Sequence, residues 1–192
     1  MINEFKRAVE ESCEVKKQSF DLNKEKLVEV TEEICGAVAA RRKILIFGNG
    51  GSAADSQHIA AEFVVRLNAD REAYPAVALT TDTSVITSCG NDFGFDNIFS
   101  RQIEALGQPG DIAIALSTSG NSENVIRGVS AAKNRDIFTV GFTGEGGGKL
   151  SGKTNVLIEV KSKNTMRIQE THMNFFHMIC RAVEERMAGG KQ

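Results

Sequence analysis

Three things are scarce in this chain of 192 residues, and each scarcity narrows its class. Cysteine occurs at only four positions, Cys13, Cys35, Cys89 and Cys180, scattered and without a C-x-x-C pair. No disulfide framework is legible in that spacing, which predicts reduced, mostly buried thiols in the cytoplasm. There is no surplus of positive charge: 23 Lys and Arg stand against 25 Asp and Glu, a net charge of -2. Binding a phosphate backbone requires a basic surface, so nucleic acid is not expected as a partner. Apolar runs are short, and none approaches the ~20 residues that a bilayer-spanning helix needs. The opening MINEFKRAVEESCEV has no apolar core of a signal peptide, and no membrane association is expected. A hydrophobic content of 41% with 25% charge suits a folded chain, and the length suits one domain over 1–192. The last five residues, 188–192, are expected to fray.

The first 40 residues read as a helical pair. Phe5, Ala8, Val9 and Cys13 fall at helical spacing, as do Leu27, Val30, Ile34, Ala37 and Val38. The polar stretch Asp21-Leu22-Asn23-Lys24 reads as the joint between them, with Asn23 as an N-cap. Such helices either cover a sheet or build an oligomer interface. From Lys43 the pattern changes to compact apolar runs at 44–47, 76–79, 112–116, 138–142 and 156–160. None alternates as a half-wet strand would, so they fit a parallel sheet covered on both faces. Helical segments follow at 53–67, 83–89, 96–106, 122–134 and 167–187. Strand–helix alternation with right-handed crossovers predicts an α/β fold in three αβα layers over 43–188, with a five-stranded parallel flavodoxin-like sheet.

Two loops carry most of the chemical information. Gly48-Asn49-Gly50-Gly51-Ser52 follows the first strand, and Ser117-Thr118-Ser119-Gly120-Asn121-Ser122 follows the third. Each joins a strand's C-terminus to a helix's N-terminus, where free N–H groups and the helix dipole favour an anion. In a 2-1-3-4-5 strand order both loops flank the switch-point crevice. They read as a phosphate cradle, against the plainer reading as capped turns. The rival Gly48-x-Gly50-x-x-Ala53 dinucleotide fingerprint lacks its acidic partner about 20 residues on, because the second strand ends at Leu79-Thr80-Thr81 and Asp82 comes too late.

His58 and Glu62 lie four apart on the helix after the first loop and share a face. Ala54, Ala61 and Val65 share it too, which predicts a partly buried pair. The final helix carries Gln169, His172 and His177. Eight residues separate Gln169 from His177, a rise of about 12 Å, so they meet at one point only by reaching toward each other or by serving different subunits' sites. His172 falls elsewhere on the helix and reads as structural. His58, Glu62, Gln169 and His177 together suit zinc, although glutamine is an uncommon ligand, and chemistry alone leaves the metal open. Asn91-Asp92-Phe93-Gly94-Phe95 is either a capped turn or a source of contacts to substrate hydroxyls.

Together these motifs resemble the sugar isomerase (SIS) fold and, within it, the phosphoheptose isomerases. The likeness rests on Gly48-Asn49-Gly50-Gly51-Ser52, His58-x-x-x-Glu62, Gly90-Asn91-Asp92-Phe93-Gly94-Phe95, the serine loop, and Arg167-Ile168-Gln169-Glu170 ending in His177. The resemblance implies conversion of D-sedoheptulose 7-phosphate to D-glycero-D-manno-heptose 7-phosphate, the first step toward nucleotide-activated heptose for surface glycans such as lipopolysaccharide. It implies a homotetramer with active sites between subunits, and one zinc ion per subunit on His58, Glu62, Gln169 and His177. By the same resemblance Ser52, Ser117, Thr118, Ser119 and Ser122 would hold the phosphate. Asn49, Gly50, Gly51, Asn91, Asp92 and Gln169 would line the sugar, with Glu62 as catalytic base and His177 as its acid–base partner. Met166 departs from the small or acidic residue usual before Arg-Ile-Gln-Glu, which touches fine substrate preference and not the reaction type. A second reading is a non-catalytic partner of a replication initiator with the same fold. Such relatives lack the glutamate and the final histidine, both present here.

Overall fold

The computed structural model describes residues 1–189. Its five strands are β1 (Ile44–Gly48), β2 (Ala76–Ala78), β3 (Ile112–Ser117), β4 (Phe138–Thr143) and β5 (Val156–Glu159). All pair in parallel, in the order β2-β1-β3-β4-β5. Six α-helices accompany them: α1 (Ile2–Ala39), α2 (Gly51–Val64), α3 (Thr83–Asp92), α4 (Ile98–Leu106), α5 (Glu123–Lys133) and α6 (Thr165–Gly189). This is the three-layer αβα arrangement expected from the apolar runs. Successive residues of β1 show why those runs do not alternate: Ile44 and Ile46 pack with Ile34, Phe63 and Phe176 on one face. Leu45 and Phe47 pack with Phe99, Ile103 and Val129 on the other. Both faces are dry, so both need apolar side chains.

The helical pair expected over the first 40 residues is instead one helix of 38 residues. Its buried stripe runs through Val15, Ser19, Asn23, Leu27, Val30 and Ile34 without a break. Ser19 and Asn23 look like a joint because they are polar, yet they belong to the buried face and serve the sheet edge. Asn23 Nδ2 donates to Glu159 O at 2.8 Å, and its Oδ1 accepts from Glu159 N at 3.2 Å. Ser19 Oγ accepts from Lys161 N at 2.9 Å, and Lys26 Nζ donates to Leu157 O at 2.8 Å. A helix thereby satisfies backbone groups that edge strand β5 would otherwise leave open.

Smaller differences have local causes. Asn91 and Asp92 close the last turn of α3, which Asp82 caps at its start, accepting from Val85 N at 2.9 Å, and which Phe93 N ends by donating to Cys89 O at 2.9 Å. The segment expected as one helix from 96 begins with a 3-10 turn, Phe95–Asn97, and continues as α4. Residues 188 and 189, expected to fray, extend α6; the rest of that expectation, at 190–192, lies outside the described residues. The four cysteines are free, with Cys89 and Cys180 buried, Cys35 half-buried and Cys13 exposed. Among the described residues no helix is long and apolar enough to cross a membrane.

His172 has the structural place expected of it. Its ring is fully buried, with Nε2 3.2 Å from Thr143 O and Nδ1 without a partner. Burial lowers its pKa from 6.5 to about 4, against the opposing pull of the Thr143 carbonyl. The unfolded chain therefore binds a proton that the folded one refuses between those values. Stability is complete above pH 6.5 and falls as the solution is acidified toward pH 4. Denaturant titrations should show this ring removing about 2 kcal/mol between pH 7 and pH 5. In His172→Leu that part of the pH slope should vanish.

Candidate active site

The α2 backbone starts where β1 ends, and its inward face is Ser52, Ser56, Ile59, Ala60 and Phe63. His58 and Glu62 therefore fall on the flank and not in the core. The apolar companions Ala54, Ala61 and Val65 are exposed, because α2 is rotated to seat Ile59 and Phe63; the partial burial expected of the pair holds for Glu62 and not for His58. The His58 side chain is 50% exposed and that of Glu62 17%.

Helix α6 lies beside α2 on the same face of the sheet. At one end the Gln169 amide rests against Gly51, where an added side-chain carbon would come within 2.9 Å of Gln169 Cδ. Seven residues on along α2, and eight on along α6, the helices touch again at His58 and His177. There His58 Nε2 is 3.0 Å from Glu62 Oε1 and 3.4 Å from His177 Nε2. One ligand atom from each of His58, Glu62 and His177 lies within 4.8 Å of the others. The structure thus brings three of the four expected metal ligands together and leaves Gln169 about two helical turns away, at the glycine turn.

This donor set suits a divalent cation. Two imidazole nitrogens face each other beside a carboxylate, which needs either a shared proton or a cation to relieve it. Three residues before His58 in α2, Asp55 Oδ2 is buried with no hydrogen-bond partner. Burial raises the Asp55 carboxyl above its usual range, with His58 opposing. Sequence reasoning passed over Asp55, whose only signal was its place one turn before His58.

Across the crevice, the serine loop is held from both sides. Ser117 Oγ donates to Ser122 Oγ at 3.2 Å, and Asn121 ties the loop through Ser119 Oγ, Ser119 O and Lys149 N. Gly144 N donates to Thr118 O, and Leu150 N to Gly120 O. The glycine-rich turn after β4 is therefore the loop's back wall, a role no spacing in the sequence announced. Neither α2, which begins after Gly50, nor α5, which begins after Ser122, has a side-chain cap on its first turn. In α2 the Ser52, Ala53 and Ala54 N–H groups bond to Asn49 O and Gly50 O, so it is chiefly the first turn of α5 that leaves N–H groups for an anion. Ser52 and Ser117 are buried, Thr118 and Ser122 half-buried and Ser119 exposed. Asn49 pairs with Asn124, which sequence reasoning also missed. Asn91 Nδ2 donates to Asp92 Oδ1 at 2.7 Å on the exposed end of α3, and no hydrogen bond among the described residues links them to the His58 cluster.

A SIS domain model matches residues 5–144. The phosphoheptose isomerase of Aquifex aeolicus is 49% identical over 185 residues, 96% of this chain and 97% of its own length. The chain belongs to the phosphoheptose isomerases. Among solved structures, the phosphoheptose isomerase of Neisseria gonorrhoeae superposes with a TM-score of 0.89 at 41% identity, over 96% of this chain and all of that one (100%). The phosphoheptose isomerase of Francisella tularensis superposes with 0.91 at 29% identity, covering 96% and 98%. These relatives bear an enzyme's name, and none of them favours the reading as a non-catalytic binding partner. In a phosphoheptose isomerase the serine loop's rigidity is testable. Gly120 has φ +65°, and a side-chain carbon there would overlap the Gly147 carbonyl, while Gly146 at φ +86° has open space. Gly146→Ala should cost about 1 kcal/mol in thermal denaturation and Gly120→Ala at least about 2–3 kcal/mol.

Proposed function

We propose that the chain isomerises D-sedoheptulose 7-phosphate to D-glycero-D-manno-heptose 7-phosphate, the first step toward ADP- or GDP-heptose. The observation that carries this reading is the meeting of Glu62 and His177 on one face of the α2/α6 pair, beside two loops that can grip a phosphate. Aldose–ketose isomerisation moves a proton between C1 and C2 through an enediol, so it needs a base at carbon, an acid–base group at oxygen and an anchored substrate. The serine loop, with Ser52, holds the phosphate; Asn49, Gly50, Gly51 and Gln169 line the sugar, and Asn91 and Asp92 contact its far hydroxyls. Glu62 takes the carbon proton, and His177 passes protons between the two oxygens. His58 steadies the Glu62 carboxylate through their 3.0 Å contact.

We assign His58, Glu62 and His177 as ligands of one zinc ion; Gln169 would have to leave Gly51 to become the fourth. When bound, zinc supplies Lewis-acid polarisation of the sugar oxygen.

We also infer a homotetramer with active sites between subunits, working in the cytoplasm. Helix α1 is about 57 Å long, well beyond a small domain's diameter. Its Ile2, Phe5 and Val9 are 82%, 65% and 63% exposed, an apolar stripe that supports a partner copy. The exposed Val65 beside the cluster, and Phe93 and Phe95 after Asp92, support a neighbouring subunit closing the site. The free thiols support a reducing compartment.

Incubation with sedoheptulose 7-phosphate in deuterated water should yield the aldose phosphate with deuterium at C2. Glu62→Gln should lower kcat by about 10²-fold or more while the melting temperature of the chelator-treated protein is unchanged, and near-normal turnover would remove the base assignment. Zinc added to chelator-treated protein should raise the melting temperature of the native chain and not of His58→Ala or His177→Ala. An equal rise in all three would dismiss this metal site.

A further inference from the structure

If Ser52 of the glycine turn and the serine loop hold one phosphate between them, the span between the two loops must be fixed. Asn49 Nδ2 donates to Asn124 Oδ1 at 2.8 Å, and Asn124 Nδ2 donates to Asn49 Oδ1 at 2.9 Å. Two complementary amide bonds close a ring, which fixes tilt as well as distance, as a single contact would not. Asn124 is 3% exposed, so both bonds are shielded from competing water and the pair is costly to open.

Each partner is built into one loop. The Asn49 carbonyl accepts from Ser52 N at 3.0 Å, tying the pair to the glycine turn. Asn124 lies in the first turn of α5, two residues after Ser122, whose hydroxyl accepts from Ser117. We propose that Asn124 is a positioning residue: through Asn49 it sets the width of the crevice between β1 and β3, and with it the alignment of Ser52 against the serine loop. An aspartate at 124 would place oxygen against Asn49 Oδ1, and an aliphatic residue would leave the Asn49 amide half-buried without its partner, so the position admits few substitutes.

The proposal rests on the two loops acting as one phosphate cradle, and its test separates that from the isomerase assignment. Inorganic phosphate binding is measured by calorimetry, well below the melting temperature, beside turnover of sedoheptulose 7-phosphate. Asn124→Ala and Asn49→Ala should each weaken phosphate binding about tenfold and lower kcat/KM to a similar degree, and the double variant should be no worse than the worse single. Should Asn124→Ala fail to fold, Asn124→Asp keeps the volume and should show the same loss. A lowered melting temperature with native phosphate affinity would reduce Asn124 to a structural residue and overturn the proposal. Additive losses of about a hundredfold in the double variant would also overturn it, since a closed pair acts as one unit. Native protein that binds phosphate but leaves the sugar phosphate unchanged would defeat the isomerase reading while the phosphate series still decides the pair. Native protein that binds no phosphate would defeat the cradle and the positioning role together.

Discussion

Strands β1 and β3 pair in parallel from Ile44↔Ile112 to Gly48↔Leu116, although β2 lies between them in the chain. That pairing forces the connections of the two strands to opposite faces of the sheet, so their C-terminal loops part and leave a crevice. The glycine turn and the serine loop stand on its two lips. Gly48 closes one side so tightly that an added side-chain carbon would fall 2.8 Å from Leu116 O. The crevice is therefore defined by backbone packing before any functional side chain is considered. Helix α2 leaves one lip and α5 the other, and α6 returns along α2 to deliver His177.

The divisions of labour within α2 illustrate how a short helix serves two masters. Ile59 and Phe63 must be buried against the sheet, and they set the rotation. His58 and Glu62 then have only the flank, where α6 approaches. Beyond Glu62 the chain is anchored by Glu184 of α6, which accepts from the N–H groups of Leu67, Asn68 and Ala69 and pairs with Arg71 at 3.0 Å. Burial alone would raise the Glu184 carboxyl, but those donors hold it below its usual range. At the other end of α6, Arg167 donates to Ala8 O at 2.6 Å and to Glu170 at 2.7 Å, and Ser12 donates to Glu170 at 2.8 Å. Arg167 and Glu170 of the family motif thus clamp α6 to α1, while Gln169 between them faces the glycine turn.

Features that depend on local periodicity were legible in the residues alone. Dry apolar runs marked all five strands, and the glycine and serine loops marked the crevice. The four-residue spacing of His58 and Glu62 put them on one face. What was not legible depended on partners far along the chain. Ser19 and Asn23 look like a break in a helix until β5 is seen to need their hydrogen bonds. Asn124 looks like an ordinary polar residue in a helix's first turn until Asn49 is opposite it. Glu62 is partly buried as its neighbours suggested, but His58 is not, because small alanines suit a surface as well as a core and only the larger Ile59 and Phe63 decide the rotation.

The clasp of α1 on β5 has a consequence for how the molecule assembles. Asn23 and Glu159 are 136 positions apart, so the edge of the sheet is finished by residues made early with residues made late. A ribosome must deliver most of the domain before that contact can close, and until then β5's outer rim is open to any other extended peptide. Long-range closure of this kind slows folding. Residues 19–26 of the first helix can therefore be clasped only after residue 161 has been made, so the helix made first waits on the strand made last.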